Sequence, residues 1–185
     1  FMLKGADDIA FPTIVLFGER SAFPHGHPSH ERKLKNGDVV LIDMGVVFKN
    51  YNSDLTRTFT FGKINSNFKK VYEVVLEAQK RAFAAVKPKV RTDVVDAAAR
   101  DYITQHNYGE YFGHGLGHGV GLEVHENPRL NRINQVELEL GMVFTMEPGI
   151  YLSGEFGIRI EDMVLCGRKN GIMLSDLPKE TILSV

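Results

Sequence analysis

Between Tyr111 and Pro128 the chain places glycine at five alternate positions, Gly113, Gly115, Gly117, Gly119 and Gly121. His114 and His118 stand between these glycines and His125 follows them. Glycine inside a regular element costs backbone entropy and contributes no packing. A run of this kind therefore implies backbone that comes close to something, or unusual dihedrals beside the imidazoles. Histidine is the commonest metal ligand and titrates nearest neutral pH. The segment reads as the wall of an active site.

The chain's 185 residues fit one domain, read here as residues 1–185. With 43% hydrophobic residues, it can build a sizeable core. Its 22 basic and 23 acidic residues nearly cancel, so nothing in the charge favours nucleic acid or an anionic membrane as a partner. No apolar run approaches the roughly 20 residues that span a bilayer. The start, Phe1 to Asp8, lacks the basic region and apolar stretch of a signal peptide. A single cysteine, Cys166, excludes an internal disulfide and suits a reducing cytoplasm, the expected location. It is expected to be a buried, inert thiol.

Hydrophobic patterning outlines the elements. Thr13–Phe17 reads as a short buried strand and Ser21–His30 as a loop, because its prolines and glycine forbid a ladder. Val39–Phe48 is β-branched and reads as a strand. The chain turns over Lys49–Asn52, and Leu55–Phe61 alternates as the returning arm of a hairpin. Ser66 is placed to cap a helix with apolar positions from Phe68 to Val86, ending before Pro88. Thr92 is placed to cap a second helix through Val94, Val95, Ala98, Tyr102 and Ile103. Gly141–Glu147, stopped by Pro148, and Gly157–Leu165 read as further strands. Helices between hairpins imply an α+β fold with antiparallel sheets.

Two carboxylates stand in or beside apolar strands, Asp43 and Asp54, and the hairpin is expected to bring them roughly opposite each other. A carboxylate inside a strand is costly unless it is paired or metal-bound, and two adjacent anions repel unless a proton or cation intervenes. Glu147 and Glu161 repeat the pattern in the C-terminal half. Each has a bland reading: a turn or edge aspartate, a strand end, a solvated edge, a surface histidine in a flexible loop. The order Asp, Asp, His, Glu, Glu, with each residue in a distinctive local sequence, weighs against five accidents. It points to an inward-facing cluster around a metal pair.

Six motifs in this order resemble the catalytic domain of the pita-bread metallopeptidases, which include methionine aminopeptidase, aminopeptidase P and prolidase. They are Ser21-Ala-Phe-Pro-His25, Leu41-Ile-Asp-Met-Gly45, Ser53-Asp-Leu-Thr-Arg-Thr-Phe59, Gly117-His-Gly-Val-Gly-Leu-Glu-Val-His-Glu126, Met146-Glu-Pro-Gly-Ile-Tyr151 and Ile158-Arg-Ile-Glu-Asp162. The resemblance implies a curved antiparallel sheet covered by helices. It also implies two divalent metal ions. Asp43 would chelate one, Asp54 and Glu161 would bridge both, and His118 and Glu147 would complete the other site. One imidazole among four carboxylates favours Mn²⁺, with Co²⁺, Fe²⁺ or Zn²⁺ as alternatives.

A hydroxide shared between the metals would attack the scissile carbonyl, with Glu147 shuttling the proton. By the same resemblance His25, His114, His125 and Arg159 would face the substrate, with His114 and His125 also serving catalysis. Arg159 would alternatively form a plain ion pair beside the ligands. The motifs Glu147-Pro-Gly-Ile-Tyr151 and Arg159-Ile-Glu-Asp162 resemble the proline-specific branch, the Xaa-Pro dipeptidases and aminopeptidases P. The expected substrate is a peptide with proline at its second position, and the expected assembly is a homodimer. The alternatives are an enzyme like methionine aminopeptidase, a hydrolase of a small C–N substrate such as creatine, or a non-catalytic binding module of the same fold. Relatives of this type carry one or two helices before the first strand, and the proline-specific branch adds an N-terminal domain. Phe1–Gly5 would then be a helix tail, and the chain the C-terminal portion of a longer protein.

Overall fold

The structure, a computed structural model, describes residues 2–63 and 66–180. Met2–Lys4 form a single 3-10 turn, while Phe1 lies outside the described residues. Strands β1 (Asp8–Ile9) and β2 (Ile14–Phe17) lead into the β-branched run. Gly45 divides that run into β3 (Val39–Met44) and β4 (Val46–Phe48). A Cβ at Gly45 would stand 2.0 Å from the Ser53 carbonyl oxygen, so the crossing of the two legs requires glycine. The chain turns at Lys49 and Asn50, both with positive φ. It returns as β5 (Tyr51–Asn52) and β6 (Leu55–Thr60).

The expected single hairpin is thus two ladders. β3 lies between β2 and β6, and β4 lies between β1 and β5 in a separate antiparallel sheet. The register pairs Asp43 with Thr56, not with Asp54. Asp54 precedes Thr56 by two residues, in the link between β5 and β6, so it sits diagonally from Asp43. The period of two along a strand carries it to the same side.

Helix α1 (Ser66–Ala85) buries Phe68, Val71, Val75, Ala78 and Ala82, the three-and-four spacing of one helical face. Ser66 is its first residue, and the position before it lies outside the described residues. Helix α2 (Thr92–Gln105) begins one residue earlier than expected, with Arg91 at the N-cap and no side-chain cap. Thr92 instead donates its hydroxyl to the Asn134 carbonyl at 3.0 Å. The buried face of α2 is Val95, Ala99 and Ile103, and Val94 is 48% exposed. The stripe is rotated from the expected one because Asp96 and Arg100 share the inner side.

That pair makes two hydrogen bonds of 2.7 and 2.8 Å. Asp96 also accepts the Leu116 N–H at 3.0 Å. Arg100 donates to the carbonyls of Phe112 and His114 at 2.9 and 2.7 Å. The ion pair thereby ties α2 to the glycine-histidine segment.

That segment contributes β7 (Gly117–Gly119) and leads to β8 (Glu126–Leu130). β9 (Val143–Met146), β10 (Gly149–Leu152), β11 (Phe156–Arg159), β12 (Asp162–Cys166) and β13 (Gly171–Met173) follow. The five-stranded sheet runs β13-β12-β9-β7-β8, all antiparallel. β10 and β11 form a hairpin of their own that the sequence reading did not contain. The expected strand Gly157–Leu165 breaks at Ile160 and Glu161, and this break separates the hairpin from the larger sheet. One core cluster, from Val39 to Cys166, packs both helices against the sheets. The fold is α+β with antiparallel sheets, as expected, and Cys166 is a buried free thiol. Among the described residues, no helix is long and apolar enough to cross a membrane.

Asp96→Ala leaves Arg100 buried without its partner and frees the Leu116 N–H. Urea unfolding is expected to show a loss of about 3–5 kcal/mol. A loss under about 1 kcal/mol, the range of exposed pairs, would mean that the pair does not anchor the segment.

Candidate metal centre

His118 is held from three sides. Gly117 and Gly119 flank it, and a Cβ on either would come within 2.0 Å of the Thr145 carbonyl oxygen or 2.2 Å of the Asn127 one. The close approach anticipated for this segment is therefore to neighbouring backbone. The His118 N–H donates to the Thr145 hydroxyl at 3.1 Å. Its ring nitrogen Nδ1 lies 3.0 Å from the Gly119 carbonyl, which can only accept, so Nδ1 carries the proton.

Nε2 of the neutral ring is then a lone pair. Burial pushes the imidazole pKa down to about 4, so the ring is neutral at pH 7. That lone pair faces Glu147 Oε1 at 3.3 Å and Asp54 Oδ2 at 3.7 Å. A lone pair set against two carboxylates is repulsive unless a proton or a cation lies between them.

The carboxylates are as crowded as the imidazole. Asp54, His118 and Glu161 offer ligand atoms that all lie within 4.8 Å of one another. Asp43 Oδ1 and Asp54 Oδ1 are buried without a hydrogen-bond partner. Burial, then the charges of Asp43 and Glu147, raise Asp54 to about 8. Burial raises Glu147 to about 7 and lifts Glu161 well above the ordinary carboxylate range, with Asp54 adding to the latter. Raised carboxyl pKa values, orphaned oxygens and an inward lone pair are what divalent cations relieve. The donor set fits them. The carbonyl bond on His118 Nδ1 is the orienting contact usual for a metal-ligating histidine.

All nine residues singled out in the sequence line one cleft of about 730 Å³: Asp43, Asp54, His118, Glu147 and Glu161 with His25, His114, His125 and Arg159. His25 and His125 are exposed at its rim. The His125 ring centroid lies 4.2 Å from that of His118, with the ring planes at 65°. His114 has both nitrogens engaged, Nδ1 with the Gly115 carbonyl at 2.8 Å and Nε2 with the Tyr151 hydroxyl at 2.9 Å. Burial holds it neutral, with a pKa of about 4.

Arg159 ends β11 and does not share a strand with Glu161. It pairs with Asp43 Oδ2 at 2.5 Å and donates to the Tyr151 hydroxyl at 3.0 Å. The ion-pair alternative for Arg159 is present in the structure, within the cleft wall.

Several residues of the site carried no role in the sequence reading. The Thr56 hydroxyl donates to Glu161 Oε2 at 2.6 Å and accepts from Arg159 Nε at 3.0 Å. The Thr145 hydroxyl donates to Glu147 Oε1 at 3.2 Å. Burial pushes Tyr151 up to about 12, so it serves as a hydroxyl donor to His114. Arg129 of β8 lines the cleft with no ion pair among the described residues. Threonine alternating inward along β6 was the available signal for Thr56. Nothing local marks Arg129.

Residues 1–168 match metallopeptidase family M24. The chain is similar to an Xaa-Pro dipeptidase of Pyrococcus horikoshii, 46% identical over 180 residues, covering 97% of this chain and 51% of that protein. Among solved structures it is similar to an X-Pro aminopeptidase from Thermotoga maritima, with TM-score 0.96 and 45% identity, covering 100% of this chain and 52% of the other. It is also similar to a prolidase from Pyrococcus furiosus, with TM-score 0.93 and 46% identity, covering 96% and 52%. The chain spans about half the length of these relatives.

The raised carboxyl pKa values give the metal-free chain a pH dependence of definite sign. A carboxyl with a higher pKa folded than unfolded holds its proton longer in the folded state, so stability falls as pH rises between the two values. The depressed histidines act oppositely, but only below the unfolded imidazole value of about 6.5. Between about pH 6.5 and 8 the carboxyl effect stands alone. With a chelator present, the melting temperature is expected to drop across this window, and Mn²⁺ is expected to remove the drop. An unchanged slope in Asp54→Asn would exclude Asp54 as the main source.

Proposed function

This chain belongs to metallopeptidase family M24, and on that premise we propose that it carries the dinuclear catalytic centre of an Xaa-Pro peptidase, cleaving between an N-terminal residue and a following proline. The observation that carries the reading is the neutral His118 Nε2 directed at Asp54 and Glu147, with Glu161 within ligand reach. The substrate class is supported by the relatives named Xaa-Pro dipeptidase and prolidase. The reading takes residues 1–185 as one catalytic unit, supported by the single core cluster.

In this proposal Asp43, Asp54, His118, Glu147 and Glu161 hold two divalent cations, with Mn²⁺ favoured by the oxygen-rich set. When bound, the cations would lower the pKa of a water and polarise the scissile carbonyl. Thr56 and Thr145 keep the Glu161 and Glu147 carboxyls turned inward by donating to them. Glu147, poised near pH 7 by burial, suits a group that takes up and returns a proton at its carboxylate. His125 stands beside His118 at the open side, where a ring N–H would meet a developing oxyanion. Arg159 is tied to Asp43 and Tyr151, so it orients a ligand and the cleft wall. His114, locked by Gly115 and Tyr151, presents its ring to the substrate. His25 would close the far rim.

A dipeptidase needs a cation to grip the free carboxylate of a two-residue substrate. Arg129, in the cleft wall with no carboxylate partner among the described residues, fits that task, and we therefore favour a dipeptidase. With added Mn²⁺, Ala-Pro is expected to be hydrolysed better than Arg-Pro-Pro, and Arg129→Ala is expected to raise KM for Ala-Pro alone. Preference for the tripeptide, unchanged by Arg129→Ala, would assign the aminopeptidase activity instead. Turnover of Met-Ala-Ser with no Xaa-Pro cleavage would overturn the subclass.

His125→Ala is expected to keep both metals and lower kcat by roughly 10²-fold, the usual effect of removing one oxyanion donor. Asp54→Ala is expected to lose metal and activity together. Calorimetry that finds two Mn²⁺ bound with unchanged affinity in Asp54→Ala would remove Asp54 from the ligand set.

A further inference from the structure

Next to Glu161 lies a buried carboxylate that faces away from the cleft. Asp162, fully buried at the start of β12, is the meeting point of four parts of the chain. Its Oδ1 accepts from Arg57 of β6 at 2.7 Å. Its Oδ2 accepts from Gln79 of α1 at 3.0 Å, and from the ammonium of Lys179 in the tail beyond β13. None of these residues lines the cleft, so the hub does not serve the substrate directly.

Its reach into the site is through backbone. The Gln79 amide nitrogen also lies 3.1 Å from the Met146 and Ile160 carbonyl oxygens. These are the residues immediately before Glu147 and Glu161. Arg57 in turn donates to the Glu161 carbonyl at 2.5 Å. Its other nitrogen donates to the Leu177 carbonyl at 2.7 Å, which fixes the tail that carries Lys179. Gln79 makes these contacts while its own Oε1 is buried with no partner. An unsatisfied buried oxygen costs on the order of 1–3 kcal/mol, so the orientation of this amide is held at the expense of stability. The tail is also outside the family match, which stops at residue 168.

We propose that the Asp162 hub is a positioning device for the metal centre: Gln79 and Arg57 set the spacing of Glu147 and Glu161, and Lys179 locks the hub from the C-terminal tail. The proposal rests on the metal-binding reading of those two glutamates. With Lys179 gone, Asp162 loses one of its two cations and the Gln79 and Arg57 geometry loosens. The ligands would then have to be ordered at the moment of binding, which lowers affinity. Supporting contacts of this kind typically change metal affinity 10–100-fold.

The test is calorimetric titration of the full chain with Mn²⁺, for wild type, Lys179→Met, Lys179→Arg and Gln79→Leu. Each titration is run well below the melting temperature of that protein in chelator. Lys179→Met is expected to bind Mn²⁺ roughly tenfold more weakly, Gln79→Leu at least as weakly, and Lys179→Arg close to wild type. Wild-type binding with unchanged affinity in Lys179→Met and Gln79→Leu would overturn the positioning role, even if both melt earlier. A wild type that binds no Mn²⁺ would overturn the metal-binding reading and this proposal with it.

Discussion

Asp54, Glu147 and Glu161 crowd around the Nε2 lone pair of His118, each with a pKa raised by burial and by its neighbours. Like charges this close repel, and a neutral imidazole facing them offers no proton in return. A cation would relieve the conflict, and the fold keeps the groups in place. Thr56 and Thr145 hold the carboxyls inward, and the Gly119 carbonyl holds the imidazole tautomer. Arg159 pairs with Asp43.

The scaffold serves that arrangement by drawing each proposed ligand from a different element. Asp43 comes from β3, Asp54 from the link before β6, His118 from β7, Glu147 from just past β9, and Glu161 from the break between β11 and β12. Every one of these sites is a strand or the interruption of one. The interruptions matter because a ligand in mid-strand would alternate with its neighbours across the sheet, whereas one at a break can turn into the cleft. The Asp96–Arg100 pair anchors the glycine-histidine segment to α2, so the position of His118 depends on a helix that does not touch the cleft. Gln79 of α1, packed beside α2, holds the backbone leading to both glutamates.

The sequence carried the elements more faithfully than their joints. Both helices follow the three-and-four spacing, because burying one face is a local property of the pattern. The first helix begins at Ser66, where the sequence placed its start, but the second begins one residue early, and Thr92 spends its hydroxyl on a distant carbonyl that no local rule reveals. The long strands were legible as β, yet Gly45 and the Ile160–Glu161 break divide them, and the β10–β11 hairpin emerged only in three dimensions. A glycine in a β-branched run states that something comes close. It does not say that the neighbour is the Ser53 carbonyl.

For the site, sequence alone determined the residue types and their order: two aspartates, a glycine-flanked histidine and two glutamates, each in a distinctive motif. That order was enough to nominate Asp43, Asp54, His118, Glu147 and Glu161, because carboxylates in apolar strands need a counter-charge wherever they end up. His25, His114, His125 and Arg159 came from the family resemblance, and all nine line the cleft. Tertiary structure decided what each one faces. It set Asp54 diagonal to Asp43. It spent both nitrogens of His114 on Gly115 and Tyr151. It brought Arg129 into the cleft wall and bonded Thr56 and Tyr151 to Arg159, contacts to which the sequence reading assigned no role. Burial, distance and the direction of a lone pair are properties of packed neighbours far apart in the chain, and no local pattern encodes them.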